Sequence, residues 1–184
     1  MPAGAGQGER AEIDPELWWG AFETCAEGLA DAAQVALRTL KDQVILEKDE
    51  VLTAAGSPYT VFTPYMRKWR SRFTPAMMEA FPSEDHTDRF WRSAPLALPE
   101  LASLGFQRTE LEIPPTKLDP EMLAHYHEAR NIPAVKGTSR MGVHLRFGTV
   151  SVRELVRKSN SASPTYLNEL IWRDFYAHVT AAFP

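Results

Sequence analysis

One cysteine, Cys25, stands in 184 residues, so no disulfide can form within the chain and a reducing, cytoplasmic setting is expected. Nothing beside Cys25 would activate its thiol, which points to burial rather than nucleophilic use. No run approaches the roughly 20 apolar residues of a spanning helix, so neither a transmembrane helix nor a membrane partner is expected. The opening MPAGAGQGER has neither a basic n-region nor an apolar h-region, and a product that is not secreted is expected. A Walker-type glycine loop and a dinucleotide fingerprint are both missing. His125 and His127 flank Tyr126 two residues apart, which sends the imidazoles to different sides of a helix. With no cysteine or acidic cluster to complete a ligand set, no metal site is expected.

Excess charge is also scarce, since the net is only −4, which argues against a generally basic nucleic-acid binder. The average conceals an asymmetry. Between Arg130 and Lys158 stand Arg130, Lys136, Arg140, Arg146, Arg153, Arg157 and Lys158, opposed only by Glu154. A positive stretch of that kind suits phosphate, although a solvated helix face has the same composition.

What is present divides the chain. Residues 1–14 read as disordered and Pro15–Leu40 as an alanine-rich helix with Val35, Leu37 and Leu40 inward; Trp18 and Trp19 read as packing. Val44–Leu46 and Val51-Leu52 read as brief strands or extended pieces, and helix potential returns after Pro64. Pro82, Pro95, Pro99, Pro114 and Pro115 punctuate a long connector. Its Phe90, Trp91, Leu96, Leu98, Leu101 and Leu104 suggest that it packs on what it joins. Beyond it, Asp119-Pro120 and Ser163-Pro164 are helix starts, and Ser151 with Glu154 has the spacing of a capping box.

Two segments hold residues suited to chemistry. On the last helix Leu167, Ile171 and Phe175 share a core side. Glu169, Trp172, Arg173 and Tyr176 fall on roughly the opposite side, where rings beside charges suit stacking on a flat ligand while bonding its edge. A second layer of helices over that face, with the charges paired, explains the same pattern. The run Lys136-Gly-Thr-Ser-Arg140 offers backbone N–H groups and hydroxyls to an anion, or simply caps a helix.

Three strings go beyond spacing: Gly56-Ser-Pro-Tyr-Thr-Val-Phe-Thr-Pro-Tyr65, Gly137-Thr-Ser-Arg-Met-Gly-Val-His-Leu-Arg-Phe-Gly148 and Asn168-Glu-Leu-Ile-Trp-Arg-Asp-Phe-Tyr176. In this order the sequence resembles the DNA photolyase/cryptochrome family, most of all the bacterial cyclobutane-dimer photolyases, over about residues 30 to 184. The resemblance implies an α+β, mostly α chain: residues 30–75 as the end of an α/β antenna-type domain, 76–117 as an interdomain connector, and 118–184 as the first helices of an all-helical flavin domain. Residues 1–29 stay unassigned.

Position by position, the resemblance implies FAD contacts at Tyr126, Thr138, Ser139, Arg140, Met141, Gly142 and Tyr166. The family commonly has serine where Gly142 stands. Arg130 matches a DNA-phosphate contact, and Glu169 and Trp172 match the residues that bond and stack on a flipped-out dimer, on a DNA-facing helix that includes Arg173 and Tyr176. It further implies UV-damaged DNA as partner, a monomer, and an antenna chromophore of folate or deazaflavin type in the longer family proteins. The family's electron-relay tryptophans and isoalloxazine-holding residues fall beyond this span, so no catalytic residue is expected within it and the chain alone is expected to be inactive. A cryptochrome-like signalling flavoprotein and a truncated DNA-binding remnant are the alternatives.

Overall fold

Proline and serine punctuation sets where the helices begin. The computed structural model describes residues 41, 43–90, 92 and 94–183, and Asp42–Phe183 forms one compact unit. The readings for residues 1–40 and for Trp91 lie outside the described residues. The described α-helices are α1 (Phe62–Arg72), α2 (Pro120–Ala129), α3 (Gly142–Phe147), α4 (Val152–Ala162) and α5 (Pro164–Ala182).

Helix α2 starts where Asp119 accepts the Glu121 N–H at 2.9 Å, with Pro120 at a position whose missing N–H costs nothing. Asp119→Ala is expected to destabilise the fold by about 1 kcal/mol. In this size class that lowers Tm by roughly 2–4 °C, readable by thermal denaturation. Ser163 caps α5 in the same way, accepting from the Tyr166 N–H at 3.4 Å. The predicted box at Ser151 does not close. Ser151 stands at the N-cap of α4 but makes no side-chain cap bond, and the Glu154 carboxylate reaches forward one turn to Lys158 at 2.6 Å.

Helix α5 is the centre, touching α1, α2, α4 and the 3₁₀ turn Lys48–Glu50. Leu167, Leu170, Ile171 and Phe175 are buried on it, against Tyr65 and Trp69 of α1, Leu123 and Tyr126 of α2, and Leu155 and Val156 of α4. Each such apolar side chain contributes about 1.5–3 kcal/mol on removal from water. The predicted core side of α5 is therefore correct, and the buried surface extends further to Asp174 and His178.

Asp174 explains why residues 44–46 form no strand, with Ile45 and Leu46 in a bend. Their backbone donors go to a side chain: Asp174 Oδ2 accepts the Ile45 N–H at 3.1 Å, the Leu46 N–H at 3.3 Å and the Trp69 indole N–H at 3.0 Å. No strand forms among the described residues; Leu52 makes only an isolated antiparallel bridge to Pro58. Burial pushes the Asp174 carboxyl up to about 6, against the opposing pull of those three donors.

The connector departs from expectation. Short 3₁₀ turns at Pro75–Met78, Ser83–Arg89 and Leu101–Leu104 interrupt it. Phe90, Leu96, Leu98, Leu101 and Leu104 are exposed rather than packed, Leu98 at 90%. Pro95 and Pro99 keep residues 94–100 outside any helix, so Leu96 and Leu98 have no periodic face to lay on a core. The connector is fastened where it returns. His144 Nε2 lies 2.7 Å from the Pro114 carbonyl, which only accepts, so Nε2 donates, while Nδ1 pairs with the Thr149 hydroxyl at 2.8 Å.

Candidate functional site

The turn before α3 is built on contact with the end of α2. Gly137 is buried, and a Cβ there would lie 2.3 Å from the Ala129 carbonyl oxygen, so only glycine lets the two backbones approach this closely. The chain then turns through Arg140, whose φ of 53° places it in the left-handed region. Met141 follows in the right-handed region and is buried. Within the turn the Met141 N–H donates to the Ser139 hydroxyl at 3.3 Å. Strain at a non-glycine residue in that region costs on the order of 1–3 kcal/mol, held here by the surrounding structure.

Beside this turn lies a cavity of about 370 Å³, lined by Lys117, Lys136, Thr138, Ser139 and Arg140 together with Glu112 and Asp119. Three cations and two hydroxyls make it suited to a phosphate group, with Asp119 engaged in capping α2. Ser139 and Tyr166 share a hydrogen bond at 2.9 Å, tying the turn to the first turn of α5. Tyr126 and Tyr166 meet edge to face at 5.0 Å and are both buried. Burial raises the pKa of each phenol; Arg130 opposes this at Tyr126 and the Ser139 hydrogen bond opposes it at Tyr166. Both therefore remain neutral at physiological pH. Thr138 is exposed in the cavity wall, and Gly142 is exposed but does not line it.

The second cluster lies along α5. Asn168 accepts from the Arg70 guanidinium of α1 at 3.0 Å, and Glu169 pairs with Arg130 at the end of α2. The Arg130 guanidinium also lies over the Tyr126 ring at 5.3 Å, so the two clusters adjoin through this residue. The hydrogen bond to Glu169 raises the Arg130 pKa further, keeping it charged. One turn on, Trp172 stacks on Phe62 at 3.6 Å with 7° between the planes, and on Tyr176 at 5.5 Å with 27°. Trp172 is half-buried and Tyr176 is 61% exposed.

The structure thus joins Tyr126, Ser139 and Tyr166 in one cluster and Arg130, Glu169, Trp172 and Tyr176 in a neighbouring one. Arg173 turns away, donating to the Gln43 carbonyl beside a separate cavity lined by Val150, Ser151 and Val152. The charges on this face are paired, as a layered-helix packing would have them, but with α2 and the 43–46 segment rather than with each other. Neither Phe62 nor Lys117 was expected at the site from sequence. Phe62 was legible as part of the Tyr59–Tyr65 aromatic run; Lys117 gave no signal because only the fold brings the connector's end to the turn.

A protein-family model described as DNA photolyase matches residues 11–85. The deoxyribodipyrimidine photo-lyase of Halobacterium salinarum is 32% identical over 173 residues, covering 81% of this chain and 36% of that protein. That of Vibrio cholerae is 27% identical over 198 residues, covering 95% and 41%, and that of Escherichia coli 29% over 168 residues, covering 78% and 34%. The chain belongs to the DNA photolyase family. It spans 34–41% of the length of these curated relatives. Among the described residues no helix is long and apolar enough to cross a membrane.

Proposed function

We propose that this chain carries the phosphate-gripping part of an FAD site and the lesion-facing helix of a light-driven photolyase that repairs cyclobutane pyrimidine dimers in DNA. The observation that carries this reading is the adjoining of the two clusters through Arg130: a cationic turn beside α2 on one side, a half-exposed indole with a carboxylate on the other. Lys136, Arg140 and the hydroxyls of Thr138 and Ser139 would hold the FAD phosphates, with Tyr126 and Tyr166 walling the site. Bound there and reduced, FAD supplies light-driven electron transfer. The chain's own part is to bind and orient. Trp172, backed by Phe62, offers a ring for a flipped-out base, and Glu169 offers acceptors to its edge.

Retention of flavin absorbance after incubation with FAD and desalting tests the first half. The intact chain is expected to retain it, and Ser139→Ala, which removes both the hydroxyl and the tie to Tyr166, to retain about tenfold less at limiting FAD, the loss of one charge-assisted hydrogen bond. No retention by the intact chain would remove the cofactor half of the proposal. Preferential binding of UV-irradiated over undamaged DNA tests the second half; equal binding would favour a signalling flavoprotein.

A further inference from the structure

We propose that Glu169 is a specificity residue that suppresses binding to undamaged DNA by masking Arg130, and that an incoming lesion releases the mask. This deepens the DNA reading above and rests on it. The argument starts from charge. Arg130 opens a stretch to Lys158 with seven basic residues and one acid, and its guanidinium is only partly withdrawn from water, its side chain 29% exposed. Such a group would ordinarily engage a backbone phosphate of any sequence.

Here its partner is already supplied by the protein. Glu169 pairs with Arg130 across 39 residues of sequence, and Tyr126 lies under the guanidinium, so the side chain is held in one place. The adjacent residue Asn168 holds Arg70 through a neutral amide, which leaves that arginine's charge unopposed. Two neighbouring positions of α5 therefore position two arginines, one with its charge cancelled and one without. A phosphate approaching Arg130 meets a carboxylate that repels it and must displace an existing ion pair.

A base that enters beside Trp172 changes the balance. Trp172 is three residues from Glu169 on α5, so both lie along one face. A ring stacked there presents N–H donors to the Glu169 carboxylate. Glu169 then satisfies the base edge, and Arg130 is left to the adjacent phosphate. Undamaged DNA, whose bases stay in the stack, gives no such exchange. Binding energy is thereby withheld from the common substrate and given to the rare one.

The test uses the full chain in anisotropy titrations with an undamaged duplex and the same duplex after UV irradiation, across a salt series. Glu169→Gln is expected to bind the undamaged duplex about 3–10-fold more tightly and to steepen the salt dependence by about 0.9 in slope, one additional phosphate. Its preference for the irradiated duplex is expected to fall by a similar factor. Glu169→Ala is expected to show the same gain, and combining either with Arg130→Gln to abolish it. Unchanged or weaker binding of undamaged DNA by both Glu169 variants, with the parent chain still preferring irradiated DNA, would overturn the mask and leave the DNA reading standing. Failure of the parent and both variants to bind either duplex would overturn the DNA reading itself, and the mask with it.

Discussion

Asp174→Ala is expected to lower the stability of the fold by on the order of 3–5 kcal/mol. One carboxylate oxygen accepts from Ile45, Leu46 and the Trp69 indole, and all four residues are buried. Alanine leaves three buried donors without an acceptor, each costing about 1–3 kcal/mol, less than additively because the 45–46 segment can partly relax. A Tm fall of roughly 6–20 °C follows for a chain of this size, measurable by calorimetry. A loss below about 1 kcal/mol would mean that water replaces the carboxylate without cost. Asp174→Asn retains an acceptor and is expected to cost less.

The same residue gives a pH dependence of definite sign. Burial holds the folded carboxyl up to about 6, above the ordinary 3.8. Between those values the folded state keeps a proton that the unfolded chain has released, so stability falls as pH rises through this window. The contribution is fully present below about 4 and is lost above about 6, amounting to at most about 3 kcal/mol. Subtracting the Asp174→Asn curve from that of the parent isolates it. A difference that is flat from pH 4 to 6, or rises, would contradict the burial argument.

Asp174 also shows why some of the molecule was legible in sequence and some was not. Its position was readable: an acid four residues from Leu170 and three from Ile171, on the apolar side of a periodic helix. Its partners were not, since they lie more than 100 residues away and two of them are backbone groups that every residue carries. The helix starts at Asp119 and Ser163 could be read because a cap is a local event, decided within three residues. Ser151 shows the limit, because Glu154 had two local partners within reach and spacing does not choose between them. The connector misled for a different reason: apolar content indicates what would gain from burial, not whether a surface is there to receive it. For the site, the family resemblance named the residues, while the pairing of Arg130 with Glu169 and the backing of Trp172 by Phe62 emerged only when α1, α2 and α5 were packed.

Gly137→Ala is expected to have the largest effect of any change at the candidate cofactor site, although the added group is a single methyl. The new Cβ would lie 2.3 Å from the Ala129 carbonyl oxygen and 2.4 Å from its carbon. Both are backbone atoms at the end of α2, which cannot rotate aside as a side chain would. The 136–139 segment must then lift from α2 by more than half an ångström, since real Cβ contacts below 3.0 Å are essentially absent. A shift of that size strains the left-handed residue Arg140 and breaks the 2.9 Å tie between Ser139 and Tyr166. A stability loss of about 1–3 kcal/mol is expected, as for other overpacked positions. Flavin retention should fall by at least tenfold, because the N–H groups and hydroxyls of the turn would no longer converge. Gly142→Ala, three residues beyond Ser139, is the steric comparison: its Cβ would meet nothing within 4 Å, so stability should stay close to that of the parent. If Gly137→Ala instead behaves like Gly142→Ala, the close backbone approach is not what shapes the turn, and a cofactor site built on it would have to be abandoned.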